Sequence, residues 1–207
     1  MIKYIHRKRL WEKYIPGVRK LLFDADREFY PPLSARNSTT QTLLKHSNQD
    51  KDNDNGEAAE SDAPNSADKT DKSHIMNSTG QAAIPEEYFR TMSRQNIVMA
   101  IEGETVAGFM SYKPAYELDI KGKKIICSYV STIVVSPQYR GKGITSEMYK
   151  KLFEETGDAF VATRTWSKNS AHIHILKKMG FRLLMTLKDD RGPGIDTVYY
   201  GKEIANG

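Results

Sequence analysis

A short basic turn, Arg140-Gly-Lys-Gly143, holds the residues with the clearest chemical potential in this sequence. It lies between a predicted strand that ends near Val135 and a predicted helix that starts near Ile144. Glycines let neighbouring main-chain N–H groups point at one ligand, and the first turn of a helix adds positive potential at the same place. The sequence therefore predicts a site that binds the phosphate of a small molecule.

Groups that could move a proton lie on the preceding strand, predicted from Ile125 to Val135, and on a later helix. This strand contains no carboxylate, but its polar residues Ser128, Tyr129, Ser131 and Thr132 could order a water that accepts the proton. Tyr129 and Ser131 are the catalytic candidates among them. Both also suit an ordinary strand position. His172 on the later helix could donate a proton, and the alternative is an ordinary helix residue.

A second predicted strand, Phe160 to Trp166, carries two side chains suited to recognition. Arg164 and Trp166 are two residues apart, so they lie on the same face of the strand. If this face lines a cleft, the pair favours an acceptor with an anionic or aromatic group. The alternative is an exposed arginine beside a packed tryptophan.

Two other kinds of chemistry find no support in the sequence. The single cysteine, Cys127, lies in a predicted strand with no histidine nearby in sequence, and we expect it to act as a small apolar residue. The five histidines are scattered, so no metal site is predicted.

The elements that would position these residues follow a mixed order. Apolar residues at helical spacing predict a helix between Trp11 and Phe29, which Pro16 kinks or restarts. An antiparallel meander follows, then strand–helix–strand–helix and a closing hairpin. This order predicts a mixed α/β sheet with helices on both faces.

One domain is expected over residues 1–207, interrupted by a segment of different composition. Residues 47–80 hold eight acidic residues and three lysines, which give a net charge of −5. With only two large apolar residues, this segment cannot bury enough surface to offset the entropy of ordering it. It is therefore predicted to be a disordered insertion.

The remainder of the chain carries a net charge of +10, since the whole chain has +5. This balance suits an anionic substrate or cofactor. Nucleic acid is disfavoured, because no recognition-helix or RNA-stacking motif is present. No apolar run approaches the ~20 residues of a membrane span, and the basic N-terminus lacks the apolar core of a signal peptide. We expect a cytoplasmic protein with no membrane partner.

The stretch Val134-Val-Ser-Pro-Gln-Tyr-Arg-Gly-Lys-Gly-Ile144, followed by Asn169 and by Met179-Gly-Phe181, resembles the GNAT acyltransferase superfamily. The resemblance extends from about Ile84 to the end of the chain, and more loosely to the N-terminal region. It implies a central, mostly antiparallel sheet of six or seven strands. It also implies acetyl-CoA as the acyl donor, with no metal.

Residues that bind acetyl-CoA are implied by their positions in the family pattern. The family's loop reads Arg/Gln-x-x-Gly-x-Gly/Ala, and Thr145 replaces its last residue, which implies altered detail rather than lost binding. Asn169 matches an asparagine that contacts the cofactor, and it is also a good N-cap residue. The residues implied for the pantetheine arm are Ile133, Val134 and Val135, and those for the pyrophosphate are Arg140, Gly141, Lys142, Gly143, Ile144 and Thr145.

The proton donor is the point at which the chain departs from the family. A tyrosine four residues before the Gly-Phe pair often serves as the acid, whereas Leu176 stands there in this sequence. His172 lies one turn earlier on the same helical face. The resemblance implies an N-acetyltransferase in which a primary amine of a small molecule or peptide attacks acetyl-CoA directly in a ternary complex, and it allows a homodimer. The alternative is a non-catalytic module that binds acyl-CoA.

Overall fold

A seven-stranded sheet forms the centre of the protein in the computed structural model, which describes residues 1–36 and 86–204. The strands are β1 (Ile2–Arg7), β2 (Asn96–Glu102), β3 (Thr105–Ile120), β4 (Lys123–Val135), β5 (Phe160–Trp166), β6 (Arg182–Leu187) and β7 (Thr197–Glu203). They lie in the order β1-β2-β3-β4-β5-β7-β6, and only the β4–β5 neighbours of this described sheet are parallel. The predicted mixed, mostly antiparallel sheet is confirmed.

Four α-helices are described: α1 (Ile15–Asp24), α2 (Glu86–Ser93), α3 (Ile144–Glu155) and α4 (Ser170–Lys178). A short 3-10 helix, Glu12–Tyr14, precedes α1, and Pro16 lies in the first turn of α1. A proline is tolerated there because an N–H in the first turn has no partner within the helix. Proline thus restarts the helix rather than kinking it. Gly180, with φ of 83°, follows the end of α4.

β1 joins the N-terminal segment to the rest of the sheet. Ile2 lies opposite Glu102, and Arg7 lies opposite Ile97. The two described segments therefore share one sheet, as a single domain requires. The predicted insertion at residues 47–80 lies outside the described residues.

Helices cover both faces of the sheet, as predicted. On one face, Leu22 of α1 and Tyr88 of α2 are fully buried, and we call this the α1/α2 face. On the other, Met148 of α3 and Leu176 of α4 are fully buried, and we call this the α3/α4 face. Burial of apolar surface on both sides of the sheet is the main favourable contribution to folding.

Ser131 is an extra residue in β4. Ser111 of β3 lies opposite Thr132, and the next residue, Tyr112, lies opposite Val130. The ladder between β3 and β4 therefore skips Ser131. Such a bulge shifts the alternation of side chains along the strand by one position. Val130 packs on the α3/α4 face, and Ile133, three residues later, packs on the same face.

β4 and β5 separate beyond this bulge. Ser128 to Val130 of β4 pair with Val161 to Thr163 of β5. β4 then continues to Val135 and β5 to Trp166, and the described ladder contains no further pair between them. The bulge bends β4 where this pairing stops. The result is an opening within the sheet, and this opening positions the site.

Candidate active site

A cavity of about 600 Å³ occupies the opening between β4 and β5. Both strands line it, together with the start of α3, part of α4 and the segment that follows α1. Tyr129 and Lys142 are not among the described residues that line it. The predicted site residues that do line it are Ser131, Ile133, Val134, Val135, Arg140, Gly141, Gly143, Ile144, Thr145, Asn169 and His172.

The cavity has two halves on opposite faces of the sheet. The half on the α3/α4 face contains the glycine turn and the start of α3, and we call it the donor half. Val161 packs on that face, so Arg164 and Trp166, at odd spacing from it along β5, point to the opposite face. The half that contains them, on the α1/α2 face, is called the acceptor half.

Main-chain groups of β4 point into the opening. Ser136 donates its N–H across to β3, so its main-chain groups face that strand. Because these groups alternate sides along a strand, Val134 also faces β3, whereas Ile133 and Val135 face the opening. In agreement, the Val135 carbonyl accepts a hydrogen bond from Arg140 Nε at 3.0 Å. Ile133 and Val135 thus offer N–H and C=O groups to a ligand between the strands.

The glycine turn leads into α3 without a side-chain cap. Gly141 and Gly143 have φ of 75° and 76°, a left-handed conformation that glycine adopts without a steric penalty. Gly143 is the N-cap residue, and no side chain caps this helix. Ile144 and Thr145 of the first turn line the cavity. Since N–H groups at a helix start have no partner within the helix, this end of the donor half is suited to bind an anion.

The two basic side chains of the turn take different positions. Arg140 Nη2 lies 2.8 and 2.6 Å from the two carboxylate oxygens of Glu28, and both side chains are about half exposed. Glu28 also lines the cavity, so an acidic group lies beside the predicted pyrophosphate site. Lys142 is exposed, and its Nζ lies 5.1 Å from the centre of the Tyr139 ring.

Asn169 has a structural role as well as a place in the cavity. Its side-chain oxygen accepts a hydrogen bond from the His172 N–H at 3.3 Å, which caps the start of α4. Its amide nitrogen donates to Thr165 Oγ1 at 3.0 Å. Asn169 also lines the cavity, and its contact with the cofactor stays a prediction.

His172 lies beside a tyrosine that the sequence did not indicate. Its Nε2 is 3.2 Å from the hydroxyl of Tyr149, a fully buried residue of α3. Burial lowers the pKa of His172 to about 4, so its imidazole is neutral at pH 7. Burial also raises the pKa of Tyr149. Leu176 is fully buried in the core and is not among the described residues that line the cavity.

The two predicted water-ordering residues of β4 lie in different surroundings. Ser131 lines the cavity, and its hydroxyl is 2.5 Å from Gln95 Oε1 and 3.2 Å from Ser111 Oγ. Tyr129 is only 2% exposed, and its ring centre lies 4.8 Å from that of Tyr116. Burial raises the pKa of Tyr129. The packing therefore favours Ser131 over Tyr129 as a group that orders water in the cavity.

Three arginines line the acceptor half: Arg36, Arg164 and Arg191. Arg36 and Arg191 are each only 5% exposed. The sequence pointed to Arg164 and Trp166 through their spacing on one strand. It gave no signal for Arg36, which follows a short 3-10 helix, or for Arg191, which lies between β6 and β7. Tertiary folding alone brings these two side chains to the cavity.

Other chemistry has little support within residues 1–36 and 86–204. Cys127 is fully buried, and burial raises the pKa of its thiol to about 12, as suits a small apolar residue rather than a nucleophile. These residues contain no group of three or more potential metal ligands. None of their helices is both long and apolar enough to cross a membrane.

The donor half as a whole fits an elongated ligand with a phosphate near one end. The uncapped start of α3 and the glycine turn suit the phosphate. The groups of Ile133 and Val135 that face the opening suit an arm containing amides, which would pair with β4 as a short strand does. Acetyl-CoA has both parts, so the residues present fit the donor that the sequence implied.

Comparisons with known proteins agree with this fit. The model of the acetyltransferase (GNAT) family matches residues 66–181, more than half of the chain. The structure of an N-acetyltransferase from Staphylococcus aureus Mu50 aligns with 98% of this chain and 99% of its own, at 16% identity and a TM-score of 0.56, which shows a shared fold.

Other matches are more limited. A GNAT-family acetyltransferase from Bacillus cereus ATCC 10987 aligns with 52% of this chain and 69% of its own, at 18% identity and a TM-score of 0.44. A search of curated proteins finds no match. The family match, together with the opening between β4 and β5 and the glycine turn at the start of α3, shows that this chain belongs to the GNAT acetyltransferase family.

Proposed function

We propose that this acetyltransferase transfers the acetyl group of acetyl-CoA to a primary amine by direct attack in a ternary complex. One observation carries the proposal: a single cavity passes through the opening between β4 and β5 and has a distinct half on each face of the sheet. A donor and an acceptor can therefore be bound together, with their reacting atoms meeting at the opening. Holding two reactants in this way removes much of the entropic barrier to their reaction.

The residues of the donor half would hold acetyl-CoA. The turn from Arg140 to Thr145 would bind the pyrophosphate, and Ile133 and Val135 would pair with the pantetheine arm. Asn169, beside this arm, would keep its capping role in α4. When bound, acetyl-CoA supplies the activated acetyl thioester.

Charge that develops on the thioester oxygen would be stabilised by the main chain of β4. The N–H of Ile133 faces the opening just beyond the point at which β4 and β5 stop pairing. A fixed N–H aimed at a developing oxyanion stabilises the transition state more than the ground state. This role needs no side chain.

The acceptor amine must lose a proton before or during attack. Glu28 is the one carboxylate among the described residues that line the cavity, and it is paired with Arg140 in the donor half. We therefore assign the proton to water that Ser131 helps to order, rather than to a carboxylate. The Ser131 hydroxyl already belongs to a polar cluster with Gln95 and Ser111.

The leaving thiolate would receive a hydrogen bond from His172. Because its pKa is lowered to about 4, His172 acts as a neutral imidazole, donating through a ring N–H, rather than as an imidazolium acid. The nearby Tyr149 hydroxyl fixes the ring. The thiolate then takes its proton from solvent.

The test is a steady-state assay of free thiol release from acetyl-CoA over a panel of small amines and peptides, with the acetylated product identified by mass spectrometry. Direct attack predicts intersecting lines when both substrates are varied. Parallel lines would indicate an acetyl-enzyme and contradict the proposed mechanism. Tight binding of acetyl-CoA without turnover on any amine would favour the non-catalytic binding module.

A further inference from the structure

The acceptor half concentrates positive charge in a buried place. Arg36, Arg164 and Arg191 all line it, although they come from three separate segments of the chain. Buried arginines are uncommon unless they are paired, because removing a charge from water is costly. Two buried arginines at one cavity, with the partly buried Arg164 on the same strand face as Trp166, therefore call for an explanation.

Main-chain contacts bring two of these guanidinium groups together. Arg36 donates through Nε and Nη2 to the Pro31 carbonyl, at 3.0 and 2.8 Å. Arg191 donates through Nη1 to the carbonyl of Tyr30, the residue directly before Pro31. Since consecutive carbonyls anchor them, the two guanidinium groups are close neighbours. These bonds satisfy some of the five N–H donors of each group and leave others for a ligand.

Aromatic rings continue the wall between the arginines. Arg36 lies 5.4 Å from the centre of the Phe29 ring, and Arg191 lies 6.0 Å from that of Trp166. The two rings are 6.4 Å apart, and all four residues line the cavity. Arg164 shares the strand face of Trp166, so the third guanidinium group belongs to the same wall. Such packing holds the arginines in fixed positions.

Within the described structure, the carboxylate of Asp190 attracts Arg164 and Arg191, and it accepts a hydrogen bond from the Thr197 hydroxyl. Neither Arg36 nor Arg191 forms an ion pair with a carboxylate there, since their hydrogen bonds go to Pro31, Tyr30 and the Thr197 hydroxyl. Burial, followed by the charges of Arg36 and Arg164, lowers the pKa of Arg191 to about 10, so it stays cationic at pH 7. The mutual repulsion favours a bound anion.

We propose that Arg36, Arg164 and Arg191 bind a carboxylate or phosphate group of the acceptor, so that the substrate is an amine that carries an anionic group. This inference rests on the proposed amine acetylation. Guanidinium groups match both anions in shape, because two parallel N–H donors meet two oxygens. The anion would lie on the α1/α2 face, with the amine directed towards the opening and the thioester.

The experiment compares amines in pairs that differ by one anionic group: 4-aminobutyrate with butylamine, and phosphoethanolamine with ethanolamine. We expect the anionic member of at least one pair to have a kcat/KM at least about tenfold higher. The pair that shows the difference distinguishes a carboxylate from a phosphate. Equal kcat/KM values within both pairs would overturn the inference and leave the proposed acetyl transfer intact.

Arg164→Gln is the principal variant, because it leaves the main-chain contacts of Arg36 and Arg191 in place. It should reduce the preference for the anionic amine to about twofold or less, while Arg164→Lys, which keeps the charge, should retain part of it. Arg182→Gln is the matched control, since Arg182 is exposed on β6 and is not among the described lining residues. It should leave the preference unchanged.

Calorimetry makes the inference testable even without turnover. The anionic amine that the assay favours, or both 4-aminobutyrate and phosphoethanolamine if none is acetylated, is titrated into wild type and Arg164→Gln saturated with CoA. Weaker binding to the variant by about tenfold, with an unchanged Kd for CoA, supports the anion site. Absence of binding to wild type, equal binding to both proteins, or a matching loss of CoA affinity would overturn it. Absence of thiol release from all amines would instead reject the proposed function.

Discussion

The two halves of the cavity present different groups to the ligands that we propose for them. The donor half presents main-chain groups: the N–H groups at the start of α3, the glycine turn and the groups of β4 that face the opening. The acceptor half presents side chains, namely three arginines and two aromatic rings. Ionisable groups also differ, since the partly buried His172 of the donor half is neutral at pH 7, whereas the buried Arg191 of the acceptor half is charged.

This difference explains how one fold can keep a donor and change an acceptor. Main-chain recognition depends on backbone conformation, so it persists while most side chains vary, provided that glycine stays where φ is positive. Side-chain recognition can be altered by single substitutions on loops that tolerate change. We therefore expect substitutions in one half to leave ligand affinity in the other half largely unchanged, which the CoA affinity of Arg164→Gln tests. Four further predictions test the donor-half groups on which the contrast between the two halves depends.

The largest effect is expected from Gly143→Val. A branched side chain at φ of 76° strains the turn and displaces the N–H groups at the start of α3, so the Kd for acetyl-CoA should rise about 100-fold. Calorimetry measures it. The matched control is Gly122→Val, because Gly122 has φ of 83° with open space around it but lies at the β3–β4 hairpin. If both variants lose the same affinity, general strain rather than the donor site is responsible.

His172→Gln should change the pH dependence of stability. The pKa of His172 is about 4 in the folded protein and about 6.5 when unfolded, so between these values the unfolded chain binds more protons. The free energy of unfolding of wild type should therefore fall as pH drops through this window. At pH 5 this loss is about 2 kcal/mol relative to pH 8, and the variant should lack it. Urea denaturation at both pH values measures the difference, and identical pH profiles would show that His172 is not buried as a neutral group.

Glu28→Gln tests the acidic side chain that pairs with Arg140, the one carboxylate among the described residues that line the cavity. Removing its charge frees Arg140 for the phosphates, so the Kd for acetyl-CoA should fall about threefold, and more at low salt. The control is Glu104→Gln, which removes the same charge from an exposed ion pair with Lys13. An unchanged or higher Kd for Glu28→Gln would mean that Glu28 does not compete with the donor.

Thr145→Ala should have the smallest effect. If the donor is held mainly by the main chain, loss of this hydroxyl should raise the Kd for acetyl-CoA by about twofold. Thr105→Ala, at an exposed position of β3, serves as control. A rise of tenfold or more would show that a side chain carries much of the donor affinity, and the contrast between the two halves would then be weaker than proposed.

Elements governed by local sequence were predicted well. β5 was predicted from Phe160 to Trp166 and has these bounds. α3 begins at Ile144, directly after the glycine turn. Turn geometry and helix starts depend on a few neighbouring residues, because glycine widens and proline narrows the range of backbone conformations at its own position. The glycine turn belongs to this class, which is why its position and conformation could be predicted from the sequence.

Elements governed by pairing were predicted less well. β3 was expected from Val106 to Tyr112, but it continues to Ile120. Its second part pairs with β4 around a hairpin and is mostly exposed, so it lacks the apolar pattern that marks a buried strand. The bulge at Ser131 was missed for a related reason, since a bulge is a property of two paired strands and not of either sequence alone.

The amino-acid sequence was sufficient to predict a phosphate-binding turn, because the glycine turn and the strand before it are contiguous, and their conformation follows from local sterics. Acetyl-CoA as the donor was implied by the family resemblance. The sequence also placed Arg164 and Trp166 on one strand face. The acceptor half required the fold: Arg36 and Arg191 are separated by 154 positions that no periodicity connects. Their side chains lie close together because the strand order of the sheet and the packing of the core bring the segment after α1 against the β6–β7 connection. Both depend on contacts between residues that are far apart in the sequence.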